Sequence, residues 1–165
     1  MGDPLQGGID IGPQARVDLR DELHKQVQSS IAKGAKCILG GEIPQGDGAY
    51  YPATILTNVK PAMPAFDEEM FGPVAAIISA ENEADAINLA NKSVFGLGGA
   101  VFTEDKKRGE IIAATKLDAG SCFVNVAVKS DPRLPFGGIK QSGYGRELGL
   151  FGIHEFVNIK TVFIQ

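Results

Sequence analysis

Apolar residues recur along this chain with two different periods, and the switches between them lay out its elements. Leu19, Leu23, Val27 and Ile31 return every four residues with charges between them, so one apolar stripe runs along a helix of about five turns, opened by Pro13 and ended by Gly34. Residues 37–39 form a short apolar strand candidate. Residues 50–59 are rich in strand formers but are interrupted by Pro52, which predicts an edge strand or an irregular hairpin. Residues 74–80 are a continuous apolar run bounded by breaks, the pattern of a strand buried on both faces. Asn82 is placed to cap a helix carrying Ala84, Ile87 and Ala90 on one face. Residues 98–102 read as a second buried strand, Thr103 as the next cap, Ile111, Ala114 and Leu117 as the lining of the following helix, and residues 121–125 as a third strand. Strand, helix, strand, helix, strand with short connections predicts crossovers and a largely parallel sheet flanked by helices, hence an α/β fold. Residues 155–164 alternate only approximately and read as a terminal strand whose free edge invites pairing with another chain.

Composition narrows the function. A chain of 165 residues that is 44% hydrophobic and 22% charged can bury one sizeable core, so a single domain is the expectation. A formal net charge of -4, with lysines spread singly, argues against a nucleic-acid partner. No apolar run approaches the roughly 20 residues of a membrane span, and the first twenty residues lack a signal-peptide layout, which points to a cytoplasmic protein without a membrane partner. Cys37 and Cys122 stand alone in apolar strand contexts, without metal-ligand spacing; both read as packing residues, and no metal site is expected. His24 lies beside the stripe of the first helix and reads as a surface or rim histidine.

Two stretches carry candidate chemistry. Residues 134–147 hold four glycines, a proline and an Arg-Glu pair in fourteen positions. Such a cluster disfavours helix and strand and suits a loop that a ligand approaches closely, at the carboxyl end of a strand in a parallel sheet. The spacing fits neither the dinucleotide fingerprint nor a phosphate loop. The second stretch, Asp67-Glu-Glu-Met-Phe-Gly-Pro73, sets three acids beside an aromatic ring; on composition alone it reads as a solvated acidic helix start.

Glu69-Met-Phe-Gly-Pro73, Asn91-Lys-Ser-Val-Phe-Gly-Leu97, Ala119-Gly-Ser-Cys-Phe-Val-Asn125 and Pro135-Phe-Gly-Gly-Ile-Lys-Gln-Ser-Gly-Tyr-Gly-Arg-Glu-Leu-Gly149, in this order and spacing, resemble the C-terminal part of an aldehyde dehydrogenase. Within that superfamily, residues 128–135 and 151–162 are most similar to bacterial succinate-semialdehyde dehydrogenases. The resemblance implies that residues 1–154 are the C-terminal part of the catalytic domain and residues 155–165 an oligomerisation strand. It also implies an enzyme dependent on NAD or NADP that oxidises an aldehyde through a thiohemiacetal.

The site residues follow by resemblance alone. Glu69 matches the glutamate that accepts hydrogen bonds from the nicotinamide ribose, with Phe71 beside it at the nicotinamide end. Phe136 matches a ring lining the substrate tunnel, and Ser130 a hydroxyl that helps hold the distal carboxylate of succinate semialdehyde. Arg133 is near enough in sequence to add charge there. Glu147 matches an accessory catalytic glutamate that orders water or relays protons, while Arg146, Lys140 and Tyr144 read as scaffolding. The family's Gly-Gln-x-Cys nucleophile and general-base glutamate are absent, so the chain reads as a truncated or excised piece, inactive alone, whose parent is a homo-oligomer. The rival reading is a non-catalytic α/β oligomerisation or interaction module derived from the same fold.

Overall fold

Helix α1 (Val17–Ala32) carries the stripe read from the sequence, with Leu23 and Val27 almost fully buried. It begins four residues after Pro13, following an extended Arg16, and the Gln14 amide ahead of it donates to the Ala49 carbonyl (2.8 Å). Ser30, buried on the same face, donates to Gln26 O (2.8 Å) and accepts from the Ala65 amide (2.9 Å), so its hydroxyl is satisfied while it seats the short helix α2 (Pro64–Asp67). The computed structural model describes all 165 residues, in two units, Met1–Glu81 and Asn82–Gln165.

In the first unit, β1 (Lys36–Leu39), β2 (Thr54–Thr57) and β3 (Val74–Ala76) form a sheet in that order; β1 pairs antiparallel with β2, and β2 pairs parallel with β3. The expected edge strand is therefore the central one. Pro52 lies just outside it, where its missing N–H removes no ladder bond. Leu23, Val27, Tyr51, Leu56, Val59 and Met63 make the core, each apolar side chain contributing roughly 1.5–3 kcal/mol by leaving water. The Tyr51 hydroxyl lies 3.1 Å from Nδ1 of half-buried His24, which is the rim position expected for that histidine. Burial pushes the Tyr51 phenol up to about 12. The run at 74–80 is a strand only over β3, and a partly exposed one, so burial on both faces does not hold.

The second unit opens with α3 (Glu83–Asn91), capped as expected by Asn82, whose Oδ1 accepts from the Asp85 amide at 3.0 Å. It continues through β4 (Phe95–Gly96), β5 (Gly98–Val101), α4 (Lys106–Thr115), β6 (Ser121–Val124), β7 (Ile139–Lys140) and α5 (Gly149–His154). β5 and β6 pair in parallel on either side of α4, the crossover read from the sequence, while β4 and β7 pair antiparallel. The fold is α/β, with its strands divided among three small sheets and parallel in two of the four pairings.

Two local readings change. Asp105, not Thr103, caps α4, accepting from the Arg108 amide at 3.0 Å. The buried face of α4 is Gly109 and Ile112, whereas Ile111 and Ala114 are exposed. A Cβ on Gly109 would stand 2.8 Å from both Thr103 Cγ2 and Val124 Cγ1, so the helix meets β6 at a residue with no side chain, which no apolar pattern marks. Residues 155–165 do not form the expected strand within this chain. A ladder needs a partner for its N–H and C=O groups, and none pairs here; Phe156, Ile159 and Ile164 remain 86%, 85% and 86% exposed.

Candidate functional site

The glycine tract of the second unit is tied at its neck. The Phe136 amide donates to Glu147 O (2.8 Å) and the Glu147 amide donates to Phe136 O (2.7 Å), an isolated antiparallel bridge that brings together the two residues read as tunnel wall and accessory acid. Inside the neck the chain crowds against itself. A Cβ on Gly137 would lie 2.6 Å from Gly145 O, and one on Gly120, at the start of β6, would collide with Gly137 O. Arg146 clasps the loop by donating from Nη1 to Gly138 O (2.9 Å) and Gly145 O (2.6 Å), the scaffolding role expected of it. Glu155 adds a bond from the Arg146 amide to Oε1 at 3.4 Å. Lys140, at φ 55°, donates from Nζ to Asn91 O and Ser93 O (2.9 and 3.1 Å), fastening the loop to the end of α3. Tyr144 is fully exposed at the tip.

Phe136 stands between two cavities. One, about 350 Å³, is lined by Phe136, Arg146, Glu147, Glu155 and Phe156 among others. The second, about 250 Å³, is lined by Cys122, Phe123, Lys129, Asp131, Leu134 and Phe136. Ser130 lies exposed on the loop between Lys129 and Asp131 and lines neither. Arg133 is 84% exposed and forks onto Asp131, Nε to Oδ1 at 2.9 Å and Nη2 to Oδ2 at 2.6 Å. Those bonds hold the Asp131 carboxyl well below the usual carboxylate range and spend the charge that the sequence left open for a substrate.

The departure of this loop from β6 is fixed by a residue whose role sequence reasoning missed. Asn125, at φ 56°, accepts from the Thr103 amide through Oδ1 (2.8 Å) and donates from Nδ2 to Thr103 O (2.8 Å). Its amide thus stands in for a further ladder pair at the end of β5 and β6. The signal available was asparagine closing an apolar strand, a residue type that tolerates the left-handed region.

In the first unit, Glu68 to Gly72 follow α2 rather than open it, and Asp67 is the last residue of that helix, so the acidic-start reading fails for Glu68 and Glu69. Asp67 Oδ2 accepts from the Ala62 amide, and Glu68 Oε2 from Gln26 Nε2, both at 2.9 Å. From Glu69 the backbone carbonyl, not the carboxylate, takes Gln26 Nε2, at 3.3 Å. The Glu69 side chain is exposed, and Phe71 next to it is 73% exposed. Gly72 lets the segment press on α1, since a Cβ there would overlap the Leu23 side chain. An exposed carboxylate beside an exposed ring suits a ribose diol with a flat ring attached.

Neither cysteine has a nucleophile's surroundings. Cys37 packs against the first core, its thiol directed to Leu39 O (3.2 Å), and burial pushes the Cys122 thiol up.

These elements are those of one family of oxidoreductases. The chain belongs to the aldehyde dehydrogenase family, whose model matches residues 1–162. Over 163 residues it is 53% identical to the NAD(P)+ succinate semialdehyde dehydrogenase Sad of Escherichia coli K12, covering 99% of this chain and 35% of that protein. It is 44% identical to the NADP(+) succinate-semialdehyde dehydrogenase of Deinococcus radiodurans, covering 98% of this chain and 34% of that one. Among solved structures it matches the succinic semialdehyde dehydrogenase of Streptococcus pyogenes in complex with NADP+ with a TM-score of 0.93 and 36% identity, covering 99% and 36% of the two chains. The Mycobacterium tuberculosis aldehyde dehydrogenase complexed with NAD+ gives 0.88 and 38%, covering 94% and 32%. The chain spans about a third of the length of these relatives. No helix is long and apolar enough to cross a membrane.

Proposed function

We propose that these residues serve a cytoplasmic, NAD(P)-dependent aldehyde dehydrogenase that oxidises succinate semialdehyde to its acid, with the reactive thiol on polypeptide outside the 165 residues. The observation that carries the reading is the Phe136–Glu147 bridge, which sets an apolar ring and a carboxylate residue on one cavity. In this reading residues 1–154 are part of the catalytic domain, and residues 155–165, with their exposed apolar side chains, are an oligomerisation strand completed by another copy.

Each residue has a task its chemistry allows. When bound, the nicotinamide cofactor supplies the hydride acceptor. Glu69 would accept both ribose hydroxyls through its carboxylate, and Phe71 would lie against the nicotinamide end. Phe136 would keep water from the aldehyde carbon before oxidation. Glu147 would then hold the water that releases the acid and take its proton. Ser130 would meet the distal carboxylate.

The test joins residues 1–162 to the preceding two-thirds of the Escherichia coli relative, following NAD(P)H formation with succinate semialdehyde. Turnover is expected, with Glu69→Gln raising KM for the cofactor roughly tenfold and Glu147→Gln lowering kcat on the order of a hundredfold. A folded hybrid without turnover would overturn the proposal and favour a non-catalytic module. So would appreciable turnover by the 165-residue chain alone.

A further inference from the structure

Resting on the reading above, we infer that Glu155 is a positioning residue for Glu147, holding the backbone on which that carboxylate is carried. Directly after Glu147 the chain reverses. Leu148 and Gly149 both take the left-handed region, at φ 63° and 56°, so α5 folds back over the residues it has just left. Gly152 allows this return, because a Cβ there would lie 2.9 Å from Glu147 C and 3.2 Å from its Cα, and backbone cannot rotate away. Glu155 follows at the end of α5. Its Oε1 accepts from the Arg146 amide at 3.4 Å, and its carboxyl lies over Gly145, where a Cβ would stand 3.5 Å from Cδ and from both oxygens.

The Glu147 backbone is thus held from two sides. Its own amide and carbonyl are paired with Phe136, and the amide one residue earlier is paired with Glu155. Nη1 of Arg146 is committed to Gly138 O and Gly145 O, so the two ends of that arginine fasten the hairpin to itself and to α5. Glu147 and Glu155 line the same cavity of about 350 Å³. A carboxylate that must hold one water needs its Cα fixed, since a displacement of about 1 Å costs on the order of a hundredfold in rate. The bond from Glu155 is long and open to water, so its share is modest, about threefold.

Two measurements test it. In the hybrid enzyme, Glu155→Ala should lower kcat with succinate semialdehyde about threefold while KM for aldehyde and cofactor stays within about twofold, and Glu155→Gln, which keeps an Oε1 acceptor, should restore most of kcat. In the Glu147→Gln background, Glu155→Ala should cost less than about 1.5-fold, because a residue acting only through Glu147 has nothing left to position. In the 15N-labelled 165-residue chain, Glu155→Ala should move the amides of Phe136, Arg146 and Glu147, and Glu155→Gln should leave them near their original positions. Equal losses from Glu155→Ala in both backgrounds, no rescue by glutamine, or unmoved amides at Arg146 and Glu147 would overturn the assignment even with the hybrid active. An inactive hybrid whose labelled chain shows the alanine shifts and the glutamine rescue would fail the proposed function and leave the Glu155 contact standing.

Discussion

Replacing Asn125 tests how the loop that carries Lys129, Phe136 and Glu147 is aimed. The Asn125 amide makes two 2.8 Å bonds to the backbone of Thr103. The residue is exposed, so water competes and each bond contributes at the low end, about 0.5–1 kcal/mol. Asn125 also sits at φ 56°, where a residue with a Cβ and no polar side chain is disfavoured by about 1 kcal/mol. Asn125→Ala should therefore cost about 2–3 kcal/mol of unfolding free energy. Asn125→Gly loses the same bonds but accepts the left-handed backbone, so it should cost about 1 kcal/mol less than alanine. Urea unfolding followed by far-UV circular dichroism measures both. If alanine costs under about 1 kcal/mol, or glycine costs as much as alanine, the reasoning fails, because the amide would then not be holding the strand ends. With the loop loosened, the hybrid should also lose kcat/KM for the aldehyde more than affinity for the cofactor.

The remaining predictions concern packing and pH. Gly120→Ala drives a Cβ into the Gly137 carbonyl, where the nearest atoms are backbone and cannot rotate away; a loss of roughly 3 kcal/mol or more is expected in the same unfolding assay, and a fully stable variant would refute the crowding. Tyr51 is held as the neutral phenol, its value raised to about 12 in the folded state against about 10 unfolded. Its contribution is therefore complete below pH ~10 and lost as pH climbs from ~10 to ~12, at up to ~1.4 kcal/mol per pH unit. Tyr51→Phe should flatten that alkaline decline relative to the unaltered chain, and an unchanged slope would refute the assignment.

Most of the helices were legible because their signals are local. A four-residue apolar rhythm gave α1, and an asparagine followed by acids gave the start of α3. The errors have separate physical causes. At α4 the closest contact with β6 is made by Gly109, and close approach leaves no hydrophobic trace in a sequence. At β2 the proline that suggested an edge lay two residues before the strand, where it costs the ladder nothing. The terminal segment is unpaired within this chain, since alternation marks a segment able to pair, while pairing itself depends on a second edge. Of the site, the family motifs marked Phe136 and Glu147 individually. Their joining by two backbone bonds, the Asn125 clamp and the cancellation of Arg133 by Asp131 depend on contacts that residue types do not encode.

The knotted neck at Phe136 and Glu147 has a practical corollary for anyone wishing to instrument this molecule. Arg146 and two reciprocal amide bonds hold the base of the hairpin, and its apex folds over the same cavity that the base encloses. A fluorophore attached at position 144, open to solvent yet on the wall of the cavity that holds Glu147, would therefore respond directly to whatever enters there.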